Sequence, residues 1–327
     1  MLLDILFIND VHGCIAPHKE LFYGKDGEYI AEAGGYARMY AKVAGLRKEN
    51  DNTLLFDGGD TFHGTKPIVD TKGEALVPIL NKMAFDAMTG HWDFAYGPEQ
   101  LKKLISQLDY PYLACNIYTP DGKLFALPSK MYTVNQVKIG VIGVSAFIVD
   151  KVMPKSFAGD LSFTNGIKEV PDHVRKLKEE GADLIVLLSH NGLPQDVALL
   201  KQVDGVDICL SAHTHNRLYT PMKVNGALLI QCGCHGSFMG KLRLEIKGGK
   251  IESHHYELLT IDDKITEDRE MKALVADVLK DYEDIRTNIV GKTDQPLHRY
   301  ATINASLDDL MHRGACFVTG TDICFSN

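Results

Sequence analysis

Aspartates and histidines recur at one kind of place in this sequence, just after short apolar runs. Asp10 and His12 follow ILFIN, and Asp57 and Asp60 flank two glycines after TLLF. His91 and Asp93 follow FDAMT and bracket Trp92, the single tryptophan. His190 and Asn191 follow IVLLS, and His213 and His215 follow DICLSA. Aspartate oxygen and neutral imidazole nitrogen suit Mn, Fe, Zn or Co. Asp10, His12, Asp60, His91, His190, His213 and His215 supply enough donors for two divalent transition-metal ions, manganese being the expected pair. One carboxylate can serve both ions at a spacing of ~3.5–4 Å, and a water held between them becomes an acidified nucleophile. If D-x-H and H-x-H lie on extended chain, the period of 2 turns both side chains of each pair to one face. Each motif alone is weak, since D-x-H-G and GGD also mark ordinary turns. Their shared place at strand ends carries the reading.

The elements that must position them alternate. Apolar strands are expected at 5–9, 53–56, 138–145, 183–189 and 206–212, and helices around 34–48, 74–84, 166–180 and 194–203. Alternation of this kind predicts an α/β core with buried strands, whose sites lie beyond the carboxyl ends of the strands. Residues 241–258 read as a β-hairpin about Gly248-Gly249, and 268–285 as an amphipathic charged helix. After 290 the pattern weakens to one helix and one strand within 305–327.

Composition narrows the class of function. The 327 residues are 45% hydrophobic, with a formal charge of −8. An acidic chain argues against a nucleic-acid surface. No run reaches the ~18 apolar residues of a membrane span. The start, MLLDILFINDVHG, has no basic region and reads as a first strand, and the seven cysteines have no framework spacing. Both point to a cytoplasmic setting, or an exported one if a leader was removed. Cys232, Cys234 and His235 are a weak zinc option because their spacing is too tight for the usual structural pairs. Of the other histidines, His18, His63, His173, His254, His255, His298 and His312 read as surface or local hydrogen-bonding residues, although His63, like His235, adjoins a site motif.

In that order, Asp10-x-His12, Gly58-Gly59-Asp60, Gly90-His91, His190 and AHTH resemble the calcineurin-like metallophosphoesterases. GGYAR, YGPE and GVIGV are similar to the 5'-nucleotidase family within them. The resemblance spans roughly 1–260 and thins toward the end. It implies a four-layer αββα sandwich with two central mixed sheets flanked by helices. It implies Asp10, His12 and His215 on one ion, His91, His190 and His213 on the other, and Asp60 between them.

One segment departs from that family. Where most members read G-N-H-E-F-D-Y-G, this chain reads GHWDFAYG. His91 stands for the ligand asparagine, Trp92 for the histidine regarded as an acid or transition-state stabiliser, and Ala95 for the aspartate that orients it. G-H-W-acid-F and GCHGSFMGKL are similar to the SoxB thiosulfohydrolases, which release sulfate from a sulfur carrier protein. The expectation is therefore a hydrolase in which a metal-bridging hydroxide attacks a nucleotide-like phosphate ester. The alternatives are a thiosulfohydrolase acting with a sulfur carrier protein, or a non-catalytic metal-binding scaffold. Asp60 and His91 are the expected catalytic residues, with Asn191 and His235 as substrate contacts. A catalytic domain is expected over 1–290, with a linker and the start of a truncated second domain over 291–327.

Overall fold

The computed structural model describes residues 1–299 and 305–325. The chain divides into one unit of residues 1–18 and 33–279, and another of 19–32 with the residues from 280 onward.

The first unit is built from two helix-linked parallel runs. Strand Leu2–Ile8 leads through helix Tyr36–Glu49 to strand Thr53–Asp57, then through helix Val77–Met83 to Ala87–Met88. These three strands are parallel, and the hairpin Phe238–Lys247 and Lys250–Thr260 adds two antiparallel strands beside Leu2–Ile8. The second sheet has a parallel centre of Val137–Val144, Leu184–Ser189, Ile208–Ser211 and Ala227–Ile230, with Ser129–Val134 and Met222–Val224 antiparallel at its edges.

Three apolar layers separate four structural ones. Leu3, Ile5 and Phe7 pack with Val141, Val186, Leu188 and Leu210 between the two sheets. Leu6 and Ile8, the alternate residues, face Met39, Val43, Leu80 and Met271 of the outer helices. On the far side Ile185, Leu187 and Cys209 meet Val174, Leu177 and Leu199. Because each central strand is covered on both faces, it reads as an unbroken apolar run. This is the αββα sandwich implied by the resemblance.

Element boundaries shift by a few residues. The expected helix 74–84 becomes a 3-10 turn, Glu74–Leu76, followed by Val77–Met83, where Pro78 suits a first turn. The expected helix 268–285 ends at Leu279, before a 3-10 turn over Lys280–Tyr282 and a separate helix, Glu283–Thr287. The hairpin is longer than expected. The strands His18–Gly24 and Gly27–Ala33 pair with each other, an element that the sequence reading missed. Helix Ser306–Thr319 forms as expected, but residues 320–325 form no strand, and Ser326 and Asn327 lie outside the described residues. Among the described residues no helix is long and apolar enough to cross a membrane.

Candidate metal centre

The loops beyond the parallel strands continue the ladder. Gly58 N–H donates to Ile8 O at 2.8 Å, Asp10 N–H to Gly59 O at 2.9 Å, and His12 N–H to Asp60 O at 2.8 Å. The second sheet is tied to the first at the same end, where His235 N–H donates to Asp10 O at 2.7 Å. Gly58 makes the approach possible: a Cβ there would lie 2.6 Å from Asn9 Cβ and 2.9 Å from Ala212 Cβ.

Two groups of side chains converge here. Asp60, His91, His190 and His213 form one, and Asp10, His12 and His215 the other; within each, one donor atom per residue lies within 4.8 Å of the rest. Asp60 reaches both groups. Its Oδ2 is 3.6 Å from His12 Nε2 and 3.3 Å from His190 Nε2, and its Oδ1 is 3.7 Å from His91 Nδ1. Asp10 Oδ1 lies 3.3 Å from His215 Nε2 and 3.7 Å from His190 Nε2.

The backbone does not do what an extended D-x-H would do. Asp10, His12, Asp60, His213 and His215 have φ of 54°, 50°, 56°, 78° and 55°. Period-2 alternation is therefore not what aligns the pairs, and that part of the sequence reading is corrected. The chain makes left-handed turns, which aspartate and histidine tolerate better than most residues. Five such residues in one place are a local cost that the surrounding ladder and sheets must hold.

Neighbouring residues fix these side chains. Asn9 Nδ2 donates to Asp10 Oδ2 at 2.6 Å, and Cys232 N–H and Gly233 O hold the Asn9 amide from the other side. Trp92 N–H donates to Asp60 Oδ1 at 2.6 Å. Asp93, fully buried, accepts from four backbone amides. Oδ2 takes Asp60 and His91 at 3.0 and 3.1 Å, and Oδ1 takes Thr61 and Phe62 at 3.0 and 2.9 Å. It thereby joins the loop of Asp60 to the loop of His91. Beneath the second sheet, Asp196 receives the hydroxyls of Ser189 and Ser211, each at 2.6 Å. Asp93 was visible in GHWDF without an evident role, and Asp196 gave no signal because it lies within a helix, away from the strand-end motifs.

Burial and charge oppose each other. Burial pushes the Asp60 carboxyl up, but His190, His91 and His12 outweigh it and hold it well below the usual range. Burial pushes His190 down, yet Asp60 and Asp10 raise it to about 10. Burial, then the neighbouring His190 and His91, lowers His213 to about 4. Asp57 turns away from the centre to Thr61 and Gly59, and burial raises it to about 7.

The donor set suits a divalent cation. His190 Nδ1 lies 2.6 Å from Gly58 O, which makes that nitrogen a donor and turns Nε2 toward the Asp60 and Asp10 carboxylates. His190 Nε2 and both ring nitrogens of His91 are buried without a hydrogen-bond partner. Buried polar atoms without partners are rare, and a bound ion is one explanation for them.

The remaining expected contacts fall at different places. The His235 ring centre is 6.1 Å from those of both His12 and His215, on the rim of that group. Asn191 uses its side chain within the fold: Oδ1 accepts from Phe147 N–H at 3.3 Å and Nδ2 donates to Asn165 O at 3.2 Å. Cys232 lies 3.8 Å from Tyr256 Oη, and no metal-type cluster among the described residues contains Cys232, Cys234 and His235 together. The weak zinc option is thus not formed. His63 is half-buried and stacks on Trp92.

Comparison with known proteins matches residues 3–217 to the family model "Calcineurin-like phosphoesterase". The chain belongs to the calcineurin-like phosphoesterases. Members of this family are hydrolases that use divalent metals. Among curated proteins, the snake venom 5'-nucleotidase of Crotalus adamanteus is 29% identical over 322 residues, covering 89% of this chain and 53% of that protein. The 5'-nucleotidase of Homo sapiens is 28% identical over 324 residues, covering 89% and 55%. The chain therefore spans about half the length of the curated relatives it matches. Its fold resembles sulfate thiohydrolase SoxB of Thermus thermophilus, with a TM-score of 0.91 at 22% identity over 97% of this chain and 68% of that one. A 5'-nucleotidase precursor, also from Thermus thermophilus, gives a TM-score of 0.86 at 20% identity over 98% and 67%.

Proposed function

We propose that this phosphoesterase chain hydrolyses phosphate esters of the nucleotide type at a two-metal centre. Asp10, His12 and His215 hold one divalent transition-metal ion, His91, His190 and His213 hold the other, and Asp60 serves both. The observation that carries this reading is Asp60, whose two oxygens lie within 3.3–3.7 Å of histidine nitrogens from both groups. Ions held there would supply positive charge that polarises a phosphoryl group and acidifies water. The chain's own residues orient and insulate. Trp92 N–H and the Asp93 clamp fix Asp60, Asn9 fixes Asp10, and the Gly58 carbonyl fixes the orientation of the His190 ring. His235 stands where it can meet substrate on the exposed rim. Asn191 acts through the loops of Phe147 and Asn165. Manganese is the expected ion, since the set mixes imidazole with carboxylate. Residues 1–290 form the catalytic part; of the region proposed as linker and second-domain start, 300–304 and 326–327 lie outside the described residues.

A specific observation supports the second reading, a SoxB-like thiosulfohydrolase acting with a sulfur carrier protein. Trp92, tied to Asp60, cannot give up a proton from its side chain at neutral pH, so a leaving group that needs no proton loses least. Metal content and turnover on p-nitrophenyl phosphate, nucleotides and a thiosulfonate donor test both. About two ions with phosphate-ester turnover is the expected result. Thiosulfonate turnover alone selects the second reading, ions without turnover select a scaffold, and one ion or none after reconstitution overturns the two-metal centre.

A further inference from the structure

The geometry points to a stacking subsite for an aromatic leaving group, formed by Trp92, His63, Tyr96 and Phe157 beside the Asp60–His91 side of the centre. It rests on the esterase reading above. The Trp92 and His63 rings are 4.9 Å apart and 22° from parallel. Phe157 meets Trp92 edge-on at 5.8 Å, and Tyr96 lies 5.9 Å from His63. None of the four is fully buried. They come from three separate segments, those after Thr53–Asp57, Ala87–Met88 and Val137–Val144. Two strand ends that already deliver polar residues to the centre, those of Thr53–Asp57 and Ala87–Met88, thus also deliver rings to one flank of it, and the segment after Val137–Val144 adds Phe157.

The wall is held at a fixed distance from the chemistry. The Trp92 backbone N–H is bonded to Asp60 Oδ1 at 2.6 Å, and the indole ring centre is 6.0 Å from that of His91. The opposite flank is different, since His12, His215 and His235 there present ring nitrogens. A phosphate group turns its oxygens toward the donors, so its organic substituent must leave along one flank. An alkyl alcohol gains little from partly buried rings. An aryl or heteroaryl group gains offset or edge-on contacts, each worth a modest but real preference.

Trp92 is the only tryptophan, so its emission reports on this contact directly. On manganese-loaded protein, phenylphosphonate should quench Trp92 emission saturably, and methylphosphonate at the same concentrations should not. In steady-state assays, Trp92→Ala and His63→Ala should each lower the ratio of kcat/KM for phenyl phosphate over methyl phosphate by about two- to tenfold. Intrinsic reactivity cancels in that comparison of ratios. Equal emission changes with both phosphonates, or an unchanged ratio in both variants, overturns the subsite. If no ester is turned over while phenylphosphonate alone still quenches, the esterase reading fails and the subsite stands.

Discussion

The two halves of the centre contain similar donors in different surroundings. In the Asp60 half, the side chains of His91 and His190 are 3% and 0% exposed. In the Asp10 half, those of His12 and His215 are 20% and 38% exposed. The buried half has ring nitrogens without partners, whereas His12 Nε2 and His215 Nε2 lie within hydrogen-bond distance of each other at 3.2 Å. Charges attract more strongly where water is excluded. The comparison teaches a division of labour. On the proposed two-metal reading, the buried half should hold an ion tightly with slow exchange, and the open half should be where ions and substrate enter.

Asp60 faces His12 of one half and His91 and His190 of the other, so changing it strikes both halves at once. Asp60→Asn removes the charge that faces His12, His91 and His190, and it puts an amide donor where an acceptor stood. Turnover should fall by at least about 10³-fold, the scale seen when one member of an interdependent site is removed. The loss should exceed that of any single histidine-to-alanine change in the same assay. A variant with wild-type turnover would refute the shared role.

The next effect separates the halves. His91→Ala should empty the buried half selectively and leave an ion in the Asp10 half, so elemental analysis after dialysis should find close to one ion per chain. His12→Ala should leave the buried ion and weaken the other one, reversibly with added metal. His91→Asn exchanges the imidazole nitrogen for an amide oxygen donor and should retain two ions, with weaker binding. If His91→Ala regains its second ion on adding metal as readily as His12→Ala does, burial does not rank the sites.

Much of this centre was legible because its donors cluster at strand ends and the strands are continuous apolar runs. ILFIN and IVLLS announce themselves through burial on both faces, and Asp10 or His190 follows immediately. The layered fold was legible for the same reason. What sequence could not show depends on atoms far apart in the chain. Pairing of Asp93 with the amides of Asp60, Thr61 and Phe62 requires two loops to meet across about thirty residues, and it leaves no local pattern. The left-handed backbone at five of the seven proposed ligands was also hidden, because spacing of two suggests extended chain just as well. The hairpin His18–Gly24 and Gly27–Ala33 was missed because HKELFYGKDGEYIAEA is mostly polar, with burial at only a few positions.

The smallest expected effect on turnover sharpens the comparison from beneath. Asp196 is buried under the ends of the two strands that carry His190 and His213, and it receives the Ser189 and Ser211 hydroxyls. Gln231 Nε2 donates to Ser211 Oγ at 3.0 Å and extends the brace toward Ala212 O at 2.7 Å. Burial pushes the Asp196 carboxyl from 3.8 up to about 6, even though both hydroxyls pull it down. The folded protein therefore holds this proton more tightly than the unfolded chain does. The stability so contributed is fully present below about pH 3.8 and is lost as pH rises through about 6. Across that window it amounts to roughly 2–3 kcal/mol. Asp196→Asn has no such proton to lose, so relative to wild type it should gain stability as pH rises from about 3.8 to about 6, and hold that gain above, in urea titrations. Its turnover at neutral pH should change by only a few-fold, because the serines can still bond to the amide. If the two stability profiles run parallel, Asp196 is ionised in the folded state throughout. The brace beneath the buried half would then be a carboxylate held by hydroxyls and not a neutral hydrogen-bonded acid.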